Sequence, residues 1–470
     1  MKKRALSLLL ATVMVTGTLA GCGSGSTESS SGTDAAQNTE DAAPAQTEAE
    51  TETEEASSSA EETGGTETAS GEERTKITVM LESSESGEPY QIWSQLYEGY
   101  IAENNLDVEV EWELIPNDDD YANKLQLYFS SNTLPDHYGC ANGTFSSAAK
   151  DLGAIVNIGD ELKRNGHYDD MNGAIVDFLT DADDGNLYLF PAALYSEFFY
   201  YRKDKFDQYG LEAPATWDEF LNVCSVLKEN GETPVMIGGQ SQWQIMRYIS
   251  LAPWRVTGAS FIMDFVNLNA KFADYPESYK GAEIVYEMGD KGYFQDGFTA
   301  TPYSDAQDMF FGGEGCIFYG GSGQCAVAAD GYDDGTYGVF PVPSVDGYEN
   351  NSTDVPIHAG FANAFNAQTY DGVMQGFFDY VCEHFGEACY SVGLFSPFNS
   401  DEIPEEFSDV YEKAYELFNS AEIGWASWDD KLDAATCTAM QDLDEELALG
   451  MITPEEWYTE LDKIVVENNQ

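Results

Sequence analysis

The stretch from Gly185 to Trp243 constrains the fold more than any other part of this chain. It reads GNLYLFPAALYSEFFYYRKDKFDQYGLEAPATWDEFLNVCSVLKENGETPVMIGGQSQW, an aromatic-rich extended segment, a polar turn, a helix and an apolar strand in that order. The helix is defined by its ends. Thr216 with Glu219 three residues on is a capping box, Trp217, Phe220, Leu221, Cys224 and Leu227 recur at helical spacing, and Gly231 supplies a C-terminal cap. The strand Val235-Met236-Ile237 follows, and its carboxyl end runs into Gly238-Gly239 and then Gln240 to Trp243. The stretch is expected to carry the chain out of one lobe into a second, with a small ligand held near the crossing.

The same alternation is present upstream. Lys76 to Leu81 (KITVML) is a β-type run, and a polar loop from Glu82 to Glu88 follows it. Ile92, Trp93, Leu96, Tyr97, Tyr100 and Ile101 then share one helical face. Val108, Val110, Trp112 and Leu114 alternate with glutamates as in a strand with one wet face. A second helix carries Tyr121, Leu125, Tyr128 and Phe129, and Pro135-Asp136 leads into another extended run. Strands alternating with helices imply an α/β protein with mainly parallel sheets flanked by helices. Ligands of such sheets sit beyond the carboxyl ends of the strands, so the loops after Leu81 and Asp136 are the places to look. At 470 residues the chain exceeds what one hydrophobic core sustains, and two lobes are expected.

The acidic balance excludes whole classes of partner. With 84 acidic against 21 basic residues the formal charge is −63, and a polyanion has too few cations to displace counterions from nucleic acid or an anionic leaflet. Lys2, Lys3 and Arg4 precede an apolar run from Ala5 to Leu19 that is too short to span a bilayer and typical of a signal peptide. It ends in Leu19-Ala20-Gly21-Cys22, which looks like a bacterial lipobox: residues 1–21 would be removed and Cys22 acylated, anchoring the protein on the extracytoplasmic face of the cell membrane. Residues 22–74 would be the lipidated cysteine and a disordered acidic linker, whose mean reach is about 40 Å. Of the other cysteines, Cys316 and Cys325, flanking a Gly-rich turn, are the one pair worth testing for a disulfide. Cys382 and Cys389 lie about 10 Å apart along a helix and are too distant to bridge. Cys224 falls on an apolar helix face. No cysteine or histidine cluster has metal-ligand spacing, and no cofactor is expected.

The order of short motifs resembles the extracellular solute-binding lipoproteins of ATP-binding-cassette (ABC) importers, in the carbohydrate-binding, maltose-binding-protein-like family. Phe190-Pro191, Tyr201-Arg202-Lys203-Asp204, Phe206, Gly210 and Thr216-Trp217-Asp218-Glu219 match its central motifs in order. Tyr100 to Asn104, the Val108 strand and Leu134-Pro135-Asp136 fit its opening; Phe310 to Ser322 and Gly338 to Pro343 fit its later segments. The likeness spans about residues 75 to 465. It departs at Gly323, where many sugar binders carry an aromatic, and at His137 to Cys140. The resemblance implies a two-lobed periplasmic-binding-protein-like fold, with crossings near Pro191 to Phe199, Ile357 to Ala364 and Val392 to Pro397. Residues 75–191 with 347–395 would form lobe one, and 192–346 with 396–470 lobe two. It also implies a carbohydrate ligand, an ABC permease as membrane partner, a monomer, and no catalysis.

Sugars offer hydroxyls and apolar C–H faces, so their sites need flat aromatics and a few fixed polar groups. Trp243, after a strand on a loop, meets that need; the alternative is packing against Tyr248 and Trp254. Tyr195, at the first crossing, is a contact or a hinge-packing residue. Tyr319 and Ser322 border a Gly-rich loop at Gly320-Gly321, where bare backbone can approach a ligand or simply turn. Glu82 and Asn142 sit at strand ends, as hydroxyl ligands or solvated loops. Trp425 is a cleft residue or, like Trp428, core. His358 is the one histidine near a crossing, and Asp429-Asp430 reads as a solvated face or a helix start. The rival reading, a secreted glycan hydrolase or lyase, needs two carboxylates at a defined separation, and no spacing singles out such a pair. A surface glycan-binding module without a transporter shares every feature of the binder.

Overall fold

The computed structural model describes residues 74–469 apart from 117, 182, 330–335, 351–354, 400–403, 405–408, 420–423 and 426. The signal segment, the acylation expected at Cys22 and the acidic linker lie outside these described residues. Within them the strands are β1 (Lys76–Leu81), β2 (Glu109–Leu114), β3 (His137–Gly139), β4 (Tyr195–Arg202), β5 (Val235–Met236), β6 (Ile317–Gly321), β7 (Tyr337–Phe340), β8 (Ile357–His358) and β9 (Asn363–Phe365). They form two sheets, one in the order β2-β1-β3-β9 and one in the order β5-β6-β4-β7, with β8 paired to β4.

Each sheet contains one strand that runs against the rest. In the first, β1 is parallel to β2 from Lys76↔Glu109 to Leu81↔Leu114 and parallel to β3, whereas β9 is antiparallel to β3. In the second, β5 is parallel to β6, and β4 is antiparallel to β6, β7 and β8. It follows that β5 to β8 share one direction and β4 alone opposes them. The reversed strands are the segments that arrive from the other sheet. No βαβ crossover within one sheet leads into them, so the right-handed crossover rule does not set their direction.

Local chemistry accounts for the main elements. The helix Glu88–Asn104 starts behind Gly87 with Pro89 in its first turn and ends where Asn105 adopts a left-handed φ of 50°. Ile92, Trp93, Leu96, Tyr97 and Tyr100 form its buried face. Tyr97 stacks on Phe377 of the helix Gly372–Ser391, ring centroids 3.8 Å apart and 11° from parallel. In the helix Trp217–Glu229 the capping box is complete: Thr216 Oγ1 accepts the Glu219 N–H at 3.2 Å, and the Glu219 carboxylate accepts the N–H groups of Ala215 and Thr216 at 2.8 and 3.3 Å. Asp136 explains the Leu-Pro-Asp motif, because its carboxylate accepts the Thr78 backbone N–H at 2.7 Å and the Thr78 hydroxyl at 2.9 Å, tying β3 to β1.

The first core gathers Trp93, Phe190, Phe365 and Phe385. The second gathers Phe199, Trp217, Phe220, Tyr248 and Phe340, with Phe199 and Phe340 stacked at 5.0 Å. Cys224 and Trp428 are buried packing residues. Cys316 and Cys325 are separate, buried free thiols, so that pair is not bridged.

The three segments near residues 191–199, 357–364 and 392–397 lie side by side. Leu194 donates its N–H to Phe395 O at 2.9 Å, Phe190 donates to Asn363 O at 2.8 Å, and Tyr195 is the β-partner of His358. Among the described residues no helix is long and apolar enough to cross a membrane.

Candidate ligand-binding site

Two neighbouring cavities open where these segments meet the strand ends. The smaller, about 80 Å³, is lined by Leu81 at the end of β1 and Glu82 just beyond it, by Gly139 at the end of β3, and by Tyr195, Phe361 and Asn363 from the crossings. The larger, about 270 Å³, is lined by Asn142 just beyond β3, by Phe178, His358 and Phe361, and by Arg247 and Trp425 from the second half of the chain. Phe361 belongs to both. This is the position that a largely parallel sheet reserves for a ligand. A bigger hollow of about 460 Å³ is lined by Thr78, Glu111, Tyr128 and their neighbours, and no crossing segment reaches it.

Backbone geometry puts the Phe361 ring in the opening. Gly360 has φ of +66°, and a Cβ there would lie 2.5 Å from the Tyr195 ring, so both the turn and the packing require glycine. A Cβ at Gly139 would lie 2.7 Å from the Phe361 ring, so Phe361 rests over bare backbone. Tyr121 meets its edge, with centroids 5.5 Å apart at 81°. Phe361 nonetheless stays 39% exposed, a cavity-lining aromatic with an accessible surface. Beside it the His358 and Tyr195 rings stack at 5.5 Å and 13°.

A buried ionic cluster forms the far wall. Arg247 lies on the helix Trp243–Thr257. Its Nε donates to Glu197 at 3.1 Å and one terminal nitrogen to Asp429 at 2.6 Å. Glu197 also accepts the Tyr319 hydroxyl at 2.8 Å and has His358 Nε2 3.7 Å away. Burial disfavours the charge on Arg247, but Glu197 and Asp429 outweigh it and hold the guanidinium ionised. Burial likewise pushes the Asp429 carboxyl up, Arg247 pulls it down further, and it ends below the usual carboxylate range. Both carboxylates are engaged by one cation, which leaves them poorly suited to act as a catalytic acid and nucleophile.

The predicted residues separate into three groups. Glu82 and Tyr195 line the smaller cavity, and Asn142 and Trp425 the larger. Trp425 is only 2% exposed, because the Arg247 guanidinium covers its ring at 4.5 Å, and its buried indole N–H has no hydrogen-bond partner among the described residues. Trp243 is not on a loop: it opens the helix Trp243–Thr257, packs on Tyr303 at 5.1 Å rather than on Tyr248 and Trp254, and lies under Arg247 at 5.4 Å. The Gly-rich loop expected at Gly320-Gly321 is instead the end of β6, paired with Phe198 and Glu197 of β4. That pairing takes Tyr319 and Ser322 away from the opening. Tyr319 is buried with its hydroxyl on Glu197, and buried Ser322 accepts the Ser196 N–H at 3.2 Å.

Sequence reasoning missed Arg247, Phe178, Phe361 and Glu197; of its two readings of Asp429, a helix start holds, in the short helix Trp428–Lys431, and a solvated face does not, because Asp429 pairs with Arg247. A signal existed for Arg247: a lone cation within Trp243-Gln244-Ile245-Met246-Arg247-Tyr248-Ile249 must find a partner if that face is buried. For Phe361 the signal was an aromatic directly after glycine within an expected crossing.

Two helix-flanked sheets joined by three adjacent crossings, with cavities at the strand ends between them, define a two-lobed ligand-binding protein. Residues 83–374 match the bacterial extracellular solute-binding protein family, and the chain belongs to that family. It is 30% identical over 119 residues to a multiple sugar-binding protein of Streptococcus mutans, covering 24% of this chain and 27% of that one. It is 26% identical over 226 residues to the sn-glycerol-3-phosphate-binding periplasmic protein UgpB of Agrobacterium fabrum, covering 46% and 49%. The chain thus spans less than half the length of these curated relatives. Among solved structures, a chitin oligosaccharide binding protein superposes with a TM-score of 0.68 at 21% identity, covering 84% of this chain and 99% of that one, a likeness that establishes the fold.

Proposed function

We propose that this protein is the substrate-binding component of an ABC importer, capturing a carbohydrate, specifically an oligosaccharide, between its lobes and delivering it to a membrane permease. The observation that carries the reading is Phe361: an accessible ring shared by two cavities and flanked by polar groups suits the C–H face and hydroxyls of a sugar. The names of the relatives, a sugar in one case and a chitin oligosaccharide in another, support the same class. Asn142, His358 and the Trp425 indole serve hydroxyls in the larger cavity. Glu82 and Tyr195 serve the smaller one, and Tyr319 and Ser322 shape the wall from behind. Trp243 holds Arg247 in place.

We place lobe one at residues 75–191 with 347–395 and lobe two at 192–346 with 396–470. Support comes from the first sheet drawing all its strands from one set and β4 to β7 coming from the other. Closure about the three crossings would bury the ligand and present the loaded surface to the permease. The monomer would be held to the outer face of the membrane by acylated Cys22. Melting temperature should rise with one class in a glycan panel and no product should form; turnover of any bound glycan, or no rise with any of them, sinks the reading. For the anchor, Cys22→Ala should move the protein from the membrane to the soluble fraction.

A further inference from the structure

The smaller cavity differs chemically from its neighbour. Its walls include the side chains of Leu81, Ile92, Trp93 and Leu394, with three polar residues, Glu82, Tyr195 and Asn363, among them. Asn363 is 2% exposed, and its amide nitrogen, an obligate donor, has no hydrogen-bond partner among the described residues. A buried amide N–H left unpaired is destabilising, so its persistence beside a cavity marks a place where something else accepts from it.

The surrounding network fixes which end of that amide faces the cavity. Tyr97 Oη lies 3.3 Å from His137 Nδ1, and His137 Nε2 lies 3.1 Å from Asn363 Oδ1. All three side chains are buried. If the phenol donates to Nδ1, then Nε2–H donates to the Asn363 oxygen, and each of the two contacts joins a donor to an acceptor. Turning the Asn363 amide round would make the phenol an acceptor from Nδ1–H and leave its own hydrogen without a partner. With Oδ1 held by His137, Nδ2 is the unpaired end of the Asn363 amide beside the cavity.

We infer that this cavity is a subsite for the acetamido group of a 2-acetamido sugar, next to a sugar ring lying on Phe361. The acetamido carbonyl accepts from Asn363 Nδ2, its N–H donates to the Glu82 carboxylate, and its methyl packs among Ile92, Trp93 and Leu394. The volume of about 80 Å³ has space for roughly five waters at about 15 Å³ each, which matches a group of this size and not a whole sugar ring. A bare hydroxyl at the same sugar position would reach neither the buried donor nor the apolar walls.

The inference rests on the carbohydrate reading above, and the test separates the two. Binding of N,N′-diacetylchitobiose and of cellobiose, which share a linkage and differ at this substituent, is measured by calorimetry on the wild type and on Ala192→Leu, a change that fills the cavity from a residue lining it. The acetylated disaccharide should bind about a hundredfold more tightly to the wild type, as expected where a buried polar group is left unpaired by the other ligand. In the variant that preference should disappear while cellobiose binding is kept. Equal affinity of the two disaccharides, or a variant that weakens both alike, overturns the subsite and leaves the carbohydrate reading standing. Failure of every glycan in the wider panel overturns both.

Discussion

Arg247→Met should make the free protein less stable and should reverse how part of that stability depends on pH. Arg247 is 9% exposed and neutralises Glu197, itself 7% exposed, together with Asp429. Methionine keeps most of the volume but removes both ion pairs, leaving two carboxylates in a buried wall. Removing one partner of a buried ion pair destabilises by about 3–5 kcal/mol. The lower end applies here, because the Asp429 side chain is 25% exposed and can recruit water. In the wild type Asp429 is held below the usual carboxylate range, so it stabilises the fold above the unfolded-state pKa of about 3.9 and loses that contribution as pH falls through its folded pKa. Without Arg247 the upward push of burial, the largest influence on Asp429, is opposed only by hydrogen bonds to Ser427 and to its own backbone. The folded variant then binds a proton more readily than the unfolded chain and gains relative stability as pH falls. Urea unfolding at pH 7.5 and 5.0 should show a deficit of about 3 kcal/mol at the higher pH and a smaller one at the lower. Adding Glu197→Gln to the variant should recover part of the loss. A deficit identical at both pH values, or a double variant no better than the single one, would refute the reasoning.

Phe361→Ala should weaken glycan binding by about tenfold or more, near 1.4 kcal/mol, with little change in the melting temperature of the free protein, since the ring is 39% exposed; a large loss of stability without ligand would make it core. Asp444 is fully buried, accepts the Trp457 indole N–H at 2.7 Å, has its second oxygen unpartnered, and is pushed well up by burial. The fold therefore retains a proton there and loses stability as pH rises, so Asp444→Asn should be more stable than the wild type at pH 7 and no more stable near pH 4, as read by denaturant midpoints. Burial lowers His137 to about 3, so its contribution is full above about pH 6.5 and is lost as pH falls towards 3; between pH 5.5 and 4.5 the wild type should lose about 1.3 kcal/mol per pH unit more than His137→Gln. Equal slopes would show that His137 does not titrate on unfolding in this range.

Features written within a dozen residues were legible. The Thr216 capping box, the apolar face from Ile92 to Tyr100 and the alternation in β2 depend on neighbours in the chain, and the structure forms all three. The direction of β4 was not legible, because it is set by which sheet the strand enters and not by its own residues. Gly320 and Gly321 were misleading for a related reason. Glycines usually mark turns, but in β6 a Cβ at Gly320 would lie 2.7 Å from the Phe318 ring and 3.0 Å from the Tyr303 hydroxyl, so the neighbouring side chains take up the space it leaves.

The cavities join residues from 81 to 427, and Arg247 meets a carboxylate 182 positions away. No window of the sequence contains such a constellation. The aromatics also show why residue type ranks ligand contacts poorly. Tryptophan offers the largest stacking face, yet Trp425 and Trp243 both lie against the Arg247 guanidinium, and Tyr319 is fully buried with its hydroxyl on Glu197. The accessible ring belongs to the smaller Phe361. Its exposure is produced by two glycines, one with a left-handed φ and one without the Cβ that would block the ring. In a cleft built from crossing segments, the glycines that set where the backbone runs decide which aromatic meets the ligand.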